Sequence, residues 1–238
     1  LSGTGGDELF GGYPWRYFVP EGRDKASTFE RYIDGYCLQW QRLLTGTELR
    51  DMFTPMWADL REVSTRDIFR SVFGNHRTEL ETPEDFINYS LYFEAKTFLH
   101  GLLVVEDKIS MSQGLETRVP FLDNDLVDFA MKMPVGMKVG TPLSRTNKGK
   151  NHDGDKKSTI QSDTHSTGKQ ILRQAMSPNL PDSFATLPKQ GFSSPDASWF
   201  RNESAQFVST RLGTEASPIF DLLNFPAVQR LLGEHYSG

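Results

Sequence analysis

Residues 1–14 of this 238-residue chain are LSGTGGDELFGGYP, a stretch that contains five glycines. Glycine adopts left-handed backbone angles at little steric cost and allows a ligand to approach the main chain closely. The density of glycines therefore predicts a tight loop, with a short turn of helix beginning near Asp7. Two interpretations are equally open on physical grounds: a glycine turn capped by Asp7, or a loop whose backbone N–H groups face phosphate oxygens.

The glycine loop matches neither of the two common phosphate-binding signatures. No lysine follows at the position required by a GxxxxGK(S/T) P-loop, and the glycine spacing departs from G-x-G-x-x-G. Asp7 and Glu8 are nevertheless adjacent carboxylates, and Mg²⁺ takes one or two acidic ligands together with the phosphate oxygens of a substrate. The loop is therefore compatible with a magnesium–phosphate site.

Helical periodicity dominates the rest of the chain. Thr82-Pro83 is a helix start signal, an N-cap hydroxyl followed by proline at the first helical position. Apolar residues then recur every three or four positions, from Ile87 to Ile109, which predicts one buried helical face to about residue 112, with a break near Gly101. Other helices are predicted after the capping-box pair Ser27-Glu30 over 28–44, ending near Gly46, after Ser64, and over 125–132, 169–176, 199–212 and 226–235.

Signals for strands are few. Residues 115–123, LETRVPFLD, have the period of an extended segment, but Pro120 excludes a central strand. Residues 138–168 are almost entirely polar and predict a long mobile loop, either a lid or an insertion. The chain is therefore predicted to be mostly helical, with one or two short strands.

Composition and charge exclude several classes of protein. The net charge of −5 gives no general reason to expect a nucleic-acid partner. The single cysteine, Cys37, excludes an internal disulfide and a cysteine-based zinc site, and its place in a helical pattern predicts a packed side chain. No apolar run approaches the roughly 20 residues that a membrane-spanning helix requires.

Two further groups of charged residues are candidates for chemistry. Residues 106–118 contain Glu106, Asp107, Glu116 and Arg118 between apolar neighbours, which predicts that they are at least partly buried and need partners or a function. The alternative is a solvated set of ion pairs that contributes little free energy. Lys189, in the segment LPKQGFS, is either an ordinary exposed lysine or a fixed positive charge for a phosphate.

Together and in this order, these segments resemble the synthetase domain of glutamine-dependent asparagine synthetases. The matching segments are LSGTGGDELFGGYPWRY (1–17), VVEDKISMSQGLETRVPFLDNDLVDFAMKMP (104–134), GKQILRQAM (168–176) and LPKQGFSSP (187–195). The resemblance implies an α/β fold of the ATP-pyrophosphatase type (adenine nucleotide alpha hydrolase-like) for the intact domain. Residues 1–238 would be the mostly helical, carboxy-terminal part of that domain. A glutaminase domain and an S-G-G-x-D-S phosphate loop are expected before Leu1.

The resemblance also implies a reaction. ATP adenylates the side-chain carboxylate of aspartate, and ammonia derived from glutamine then displaces AMP to give asparagine. ATP and Mg²⁺ would be the cofactors, the cytoplasm the location, and a homodimer one assembly that the family allows. Nucleic acid and membrane are not expected partners, and residues 1–238 alone are expected to be inactive.

Site residues follow from the same resemblance. Lys189 corresponds to a lysine that contacts the phosphates, and Asp107 corresponds to an acidic residue near the active site. The expected nucleotide-binding loop, with Asp7 as the metal ligand, consists of Ser2, Gly3, Thr4, Gly5, Gly6, Asp7 and Glu8. Glu116 and Arg118 are expected to form a structural ion pair.

Thr4 departs from the family pattern, which often has glutamate at this position to assist the incoming ammonia. A threonine hydroxyl cannot act as a base near neutral pH. Two alternatives therefore stand beside asparagine synthesis: a related ATP-dependent amidotransferase or amide ligase with a different carboxylate acceptor, and a non-catalytic helical scaffold.

Overall fold

The computed structural model describes residues 1–20, 28–41, 44–74, 80–139, 168–181, 183, 196–202 and 204–237. The described residues form helices and turns and contain no strand, so the short strands expected from the sequence are not found in this part of the chain. Two compact units are present. The first is built from the described residues of 1–39, 66–139 and 168–183, and the second from those of 40–65 and 196–237.

The α-helices of the described ranges are mostly short. In chain order they are α1 (Gly6–Phe10), α2 (Thr28–Trp40), α3 (Gly46–Met52), α4 (Trp57–Leu60), α5 (Thr65–Ser71), α6 (Pro83–Phe93), α7 (Leu99–Ser112), α8 (Asn124–Lys132), α9 (Val135–Val139), α10 (Gln170–Met176), α11 (Asp196–Arg201), α12 (Ala205–Leu212) and α13 (Phe225–Ser237). Turns of 3₁₀ helix occur at Pro14–Arg16, Thr54–Met56, Pro120–Leu122, Ser177–Asn179 and Pro218–Asp221. None of the described helices combines the length and apolarity needed to cross a membrane.

Local capping signals explain where several helices begin. The Thr82 hydroxyl accepts the Asp85 N–H, and the Asp85 carboxylate accepts the Thr82 N–H at 2.8 Å, which confirms the start predicted for α6. Thr45 and Glu48 form the same reciprocal pair at the start of α3. The prediction that Gly46 ends a helix was therefore wrong: α2 ends at Trp40, and Gly46 is the first residue of α3. Ser27 lies outside the described residues.

Helices α6 and α7 are joined by a π-helical turn at Glu94–Phe98. The sequence predicted a break near Gly101, but Gly101 lies within α7, so the position of the break was wrong. The Thr97 hydroxyl donates a hydrogen bond to the Phe93 carbonyl at 2.7 Å, inside the turn. Side-chain bonds of this kind compete with the regular backbone ladder and commonly accompany distortions of a helix.

An aromatic core packs α2 against α5 and α6 in the first unit. Tyr32, Tyr36 and Phe73 have no exposed surface, and the Tyr32 and Tyr36 rings are stacked with centroids 5.3 Å apart. The Tyr32 hydroxyl lies 3.0 Å from the hydroxyl of buried Ser90, so the polar end of this aromatic side chain has a partner inside the core. Cys37 is buried in the same helix, as predicted.

The apolar face predicted for residues 87–109 is only half buried. Ile87 and Leu91 in α6 are in the core, but Val105 and Ile109 in α7 are 57% and 64% exposed. Helical spacing correctly predicted the helix here, but it did not predict which residues of α7 are covered.

The second unit is organised around α3 and α13. Met52, Ala227 and Val228 form its buried centre. The Asn224 side chain caps α13 by accepting the Ala227 N–H at 2.9 Å, while the Asn224 N–H donates to the Met52 carbonyl at 2.7 Å. The helix predicted over 199–212 is divided here into α11 and α12.

The polar segment predicted over 138–168 begins with helix rather than loop. Lys138 and Val139 belong to α9 and are buried, so the boundary placed at residue 138 was wrong. Residues 140–167 lie outside the described ranges, and the prediction of a mobile loop there stays a prediction.

Candidate functional site

The predicted glycine loop turns tightly before and after α1. Gly5 has a φ of 94°, and a Cβ at this position would collide with the Leu122 side chain. At Gly12 a Cβ would collide with the Asp7 carboxylate, because the backbone folds back so that the Gly12 N–H donates to the Asp7 carbonyl at 2.7 Å. These positions require glycine for conformation and for close packing, respectively. The structure thus confirms the loop and the short helix near Asp7.

The first residues of the loop are connected to α7 through side-chain hydroxyls. The Thr4 hydroxyl donates to a carboxylate oxygen of Glu106 at 2.6 Å, and the Ser2 hydroxyl lies 2.8 Å from that of Thr4. The Ser2 N–H donates to the Arg118 carbonyl at 2.8 Å and fixes the start of the loop to the segment after α7. Hydrogen bonds from the Ser2 and Thr4 hydroxyls lower the pKa of Glu106 below its ordinary value, so its carboxylate is ionised at neutral pH.

A lysine that precedes α10 reaches the other end of the loop. The Lys169 ammonium lies 2.8 Å from the Asp7 carboxylate, and the Lys169 N–H donates to the Phe10 carbonyl at 3.0 Å. Lys169 has a φ of 62°, which is unusual for a residue with a side chain. The preceding Gly168 packs so closely on the Gly11 carbonyl that a Cβ would collide with it. The glycine loop therefore has a positively charged side chain fixed beside its aspartate.

Glu8 lies on the inner side of α1. Its side chain is buried, and it accepts a hydrogen bond from the Tyr13 hydroxyl at 2.9 Å. Burial, with smaller contributions from the charges of Glu8 and Asp7, raises the pKa of Tyr13 far above its ordinary value, so Tyr13 stays protonated and acts as the donor. Any contribution of Glu8 to nucleotide binding would accordingly come through its backbone.

The Tyr13 ring also supports a buried ion pair. The Arg16 guanidinium lies over the rings of Tyr13 and Phe98, 4.1 Å and 4.4 Å from their centroids, and 3.2 Å from the Glu94 carboxylate. The Arg16 and Glu94 side chains are 12% and 0% exposed. Because Glu94 and Phe98 bound the π-helical turn, this cluster joins the loop after α1 to the junction of α6 and α7.

The charged residues predicted on and after α7 are more exposed than expected. Asp107 and Lys108 are exposed, and the Glu116 and Arg118 side chains, 3.0 Å apart, are about 70% exposed. The Glu116–Arg118 ion pair is therefore confirmed, but the expectation of partial burial was wrong for Asp107, Glu116 and Arg118. A pair in contact with solvent contributes less than about 1 kcal/mol to stability.

The structure brings together only some of the predicted site residues. Ser2, Gly3, Thr4, Gly5, Gly6, Asp7 and Glu8 form one loop and the first turn of α1. Asp107 is exposed, and it is its sequence neighbour Glu106 that contacts Thr4 of the loop. Lys189 lies outside the described residues, so its predicted phosphate contact stays a prediction.

Sequence reasoning overlooked three charged residues near the loop. Glu106 belongs to the charged group on α7, but the resemblance pointed to its neighbour Asp107. Lys169 follows Gly168 directly before a helix, a glycine-lysine pair that could have indicated a fixed cation. Lys138 is 2% exposed, and its Cβ lies near Gly11; burial lowers its pKa to about 8. Its place in a polar segment gave no signal of burial.

Near the loop the described residues provide too few acidic side chains for a metal site built from protein ligands alone. The described residues contain no group of three or more His, Cys, Asp or Glu side chains that could hold a metal ion. Mg²⁺ bound to a nucleotide usually takes one or two carboxylates and completes its coordination with phosphate oxygens and water. One carboxylate, that of Asp7, fits this requirement, although Lys169 already contacts one of its oxygens.

Comparison with known proteins assigns the chain to a class of protein. The chain belongs to the asparagine synthase family, which it matches over residues 1–238. No solved structure gives a significant match.

Named relatives fall in the same family. A Mycobacterium tuberculosis protein, provisionally named a glutamine-hydrolyzing asparagine synthetase, is 28% identical over 100% of this chain and 36% of its own length. Bacillus subtilis asparagine synthetases 1 and 3, both named glutamine-hydrolyzing, are 28% and 26% identical over 87% and 98% of this chain and 32% of their own lengths. The chain thus spans about a third of the length of the curated relatives it matches.

Proposed function

We propose that this chain is the synthetase part of an ATP-dependent carbon–nitrogen ligase that makes asparagine. In the first step the side-chain carboxylate of aspartate attacks the α-phosphorus of ATP, and pyrophosphate leaves. In the second step ammonia attacks the acyl carbon, the bond to the AMP oxygen breaks, and one N–H proton passes to solvent. Membership of the asparagine synthase family and the names of the relatives support this proposal.

The observation that carries the proposal is the glycine loop with Lys169 fixed beside Asp7. Adenylation concentrates negative charge on the α-phosphate and on the departing pyrophosphate, and prearranged cations and N–H donors lower the energy of that charge. We assign the nucleotide side of the site to Ser2, Gly3, Thr4, Gly5, Gly6, Asp7 and Glu8. Lys169 would orient the Asp7 carboxylate and offset charge on the phosphates.

Mg²⁺ fits this assignment with Asp7 as its single carboxylate from the loop. When bound, the ion would neutralise charge on the phosphate oxygens. Because the Lys169 ammonium contacts one oxygen of Asp7, the lysine and the ion would have to share this carboxylate. The chain's own contribution is to hold Asp7 in place through the close packing of Gly12 on its side chain.

Lys189 and Asp107 complete the proposed site on the basis of sequence alone. Lys189 would be a second positive charge for the phosphates, and Asp107 an acidic group at the edge of the site. The complete protein would also contain a glutaminase domain that releases ammonia from glutamine. Its synthetase domain would have the α/β sheet of an ATP-pyrophosphatase-type fold. We propose the cytoplasm as its location and a homodimer as its assembly.

One specific observation favours an alternative function, in which the carboxylic acid that is adenylated is not aspartate. Thr4 occupies a position where glutamate is common in the family, and its hydroxyl donates a hydrogen bond to Glu106. A site altered at this position could accept a carboxylic acid other than aspartate, with the same adenylation and the same release of AMP.

The test uses the complete natural protein that contains these residues. Incubation with ATP, Mg²⁺, glutamine and aspartate should yield asparagine, AMP and pyrophosphate in equal amounts. Lys189→Ala should reduce this turnover strongly, whereas Lys132→Ala, an exposed lysine of α8, should leave it unchanged. Release of pyrophosphate only with another carboxylic acid would select the second acceptor, and no ATP-dependent reaction at all would indicate the scaffold.

A further inference from the structure

The Glu106 carboxylate of α7 is a negative charge beside the glycine loop, and no basic side chain of the described residues forms an ion pair with it. Its contacts are with hydroxyls: Thr4 donates to it at 2.6 Å, and the Ser2 hydroxyl contributes to the lowering of its pKa. Hydroxyl donors stabilise an ionised carboxylate without neutralising it. Glu106 therefore presents a full negative charge next to Thr4.

The two acidic side chains of the loop itself, Asp7 and Glu8, have different partners. The charge of Asp7 is offset by the Lys169 ammonium at 2.8 Å, and Glu8 is buried and takes the Tyr13 hydroxyl. Glu106 differs from both because it comes from another helix, α7, and its observed hydrogen-bond donor is a hydroxyl of the loop. Within the described residues the two ends of the loop thus differ in charge: a lysine pairs with Asp7 at one end, and the Glu106 carboxylate meets hydroxyls at the other.

The charge of Glu106 selects among the reactants of the proposed reaction, on which this inference rests. ATP phosphates and the side-chain carboxylate of aspartate are negative and would be repelled by Glu106 at close range. Two nitrogen groups remain: ammonia, which becomes positively charged as its bond to the acyl carbon forms, and the α-ammonium group of the acceptor. Both have N–H bonds that an ionised carboxylate accepts strongly.

We propose that Glu106, oriented by Thr4, forms the subsite that binds a cationic nitrogen of a substrate. Thr4 is then a positioning residue, because its hydroxyl donates to one oxygen of the carboxylate and fixes its orientation. Ser2 holds the hydroxyl pair in place through its N–H bond to the Arg118 carbonyl. Asp107, which is exposed, has no part in this subsite.

The experiment compares variants of the complete protein, with ammonium chloride supplied as the nitrogen source. Glu106→Gln keeps the size of the side chain and removes its charge. The KM for either ammonia or aspartate should therefore rise about tenfold or more, with a smaller change in kcat. Thr4→Val keeps the carboxylate but removes its fixed orientation, and should raise the same KM about threefold. Glu84→Gln, on the exposed face of α6, is the matched control and should change neither constant.

Two measurements distinguish the sources of the nitrogen. Aspartate-dependent exchange of pyrophosphate into ATP reports adenylation and needs no ammonia. If the KM for ammonia rises and exchange is unchanged, the nitrogen that Glu106 binds is that of ammonia. If the KM for aspartate rises within the exchange reaction, Glu106 binds the α-ammonium group of aspartate.

Other outcomes overturn the inference. If Glu106→Gln and Thr4→Val change neither KM, Glu106 is not a nitrogen subsite, and the proposed function stands without it. Absence of pyrophosphate exchange in the unsubstituted protein overturns both. If Glu106→Gln lowers the unfolding temperature so far that it cannot be assayed, the result for Thr4→Val decides.

Discussion

The Lys169 ammonium lies 2.8 Å from the Asp7 carboxylate, and the lysine backbone that holds it there has a left-handed φ of 62°. A left-handed conformation costs a residue with a side chain about 1 kcal/mol, a cost that glycine avoids. The ion pair is partly exposed to solvent and so contributes little to stability in return. Strain that persists under these conditions is typical of functional sites.

Two substitutions separate the charge of Lys169 from its backbone strain. Both Lys169→Met and Lys169→Gly should lower pyrophosphate exchange, because Asp7 and the phosphates lose the same cation. The free energy of unfolding of Lys169→Gly should exceed that of Lys169→Met by about 1 kcal/mol, because glycine accepts the left-handed φ. Denaturant-induced unfolding of the two variants measures this difference. Equal or lower stability of the glycine variant would show that the conformation is unstrained.

Gly12 should tolerate no side chain, since a Cβ would collide with the Asp7 carboxylate. Gly12→Ala is expected to displace Asp7 from Lys169 and to lower pyrophosphate exchange by about tenfold or more, while the unfolding temperature falls only slightly. Gly136→Ala is a suitable control because its Cβ would meet open space. Normal exchange by Gly12→Ala would mean that Asp7 has no part in the reaction.

The buried Arg16–Glu94 pair should be more sensitive to substitution than any exposed ion pair. Arg16→Met removes the cation and leaves the fully buried Glu94 carboxylate without it, which typically costs about 3 kcal/mol or more. Arg230→Met, which removes the half-exposed pair with Asp51, should cost less than about 1 kcal/mol. Thermal unfolding of the two variants measures the difference, and similar losses would contradict the importance of burial.

Lys138 should make stability depend on pH in the alkaline range. Burial lowers its pKa to about 8 in the folded protein, from about 10.5 in the unfolded chain. Below pH 8 both states bind the proton, and the folded state bears the full cost of the buried charge, of the order of 3 kcal/mol. Between pH 8 and 10.5 the unfolded state binds more protons, so this cost is relieved and stability rises with pH.

Substitution of Lys138 by methionine provides the comparison for this pH dependence. Lys138→Met should unfold at higher denaturant concentration than the unsubstituted protein at pH 7, and the difference should shrink as the pH approaches 10. A stability difference that is constant from pH 7 to pH 10 would mean that the Lys138 ammonium is solvated.

Features that depend on neighbours in sequence were the easiest to predict. Thr82-Pro83 specifies the start of α6 through contacts within one turn, and the glycines of residues 1–14 specify a tight loop through their own backbone freedom. The family resemblance of the chain was likewise carried by short contiguous segments, and the match over residues 1–238 confirms it.

Features that depend on distant residues could not be predicted in this way. The π-helical turn coincides with the contact between Glu94 and Arg16, which are 78 residues apart. Glu106 and Asp107 are adjacent and both acidic, so the rotation of α7 about its axis decides which of them meets Thr4. Apolar residues such as Val104 and Val105 occur on more than one side of α7 and obscured that rotation.

The π-helical turn at Glu94–Phe98 also has a consequence for insertions and deletions. A π turn accommodates one residue more than a regular helix without changing the rotation of the segment that follows it. A chain shortened by one residue here, for example by deletion of Ala95, could form an uninterrupted helix and still present Glu106 to Thr4. The extra residue therefore changes the helix only within the π-helical turn between α6 and α7. Loss of the turn would affect the contact of Glu94 with Arg16 but would leave the contact of Glu106 with Thr4 in place.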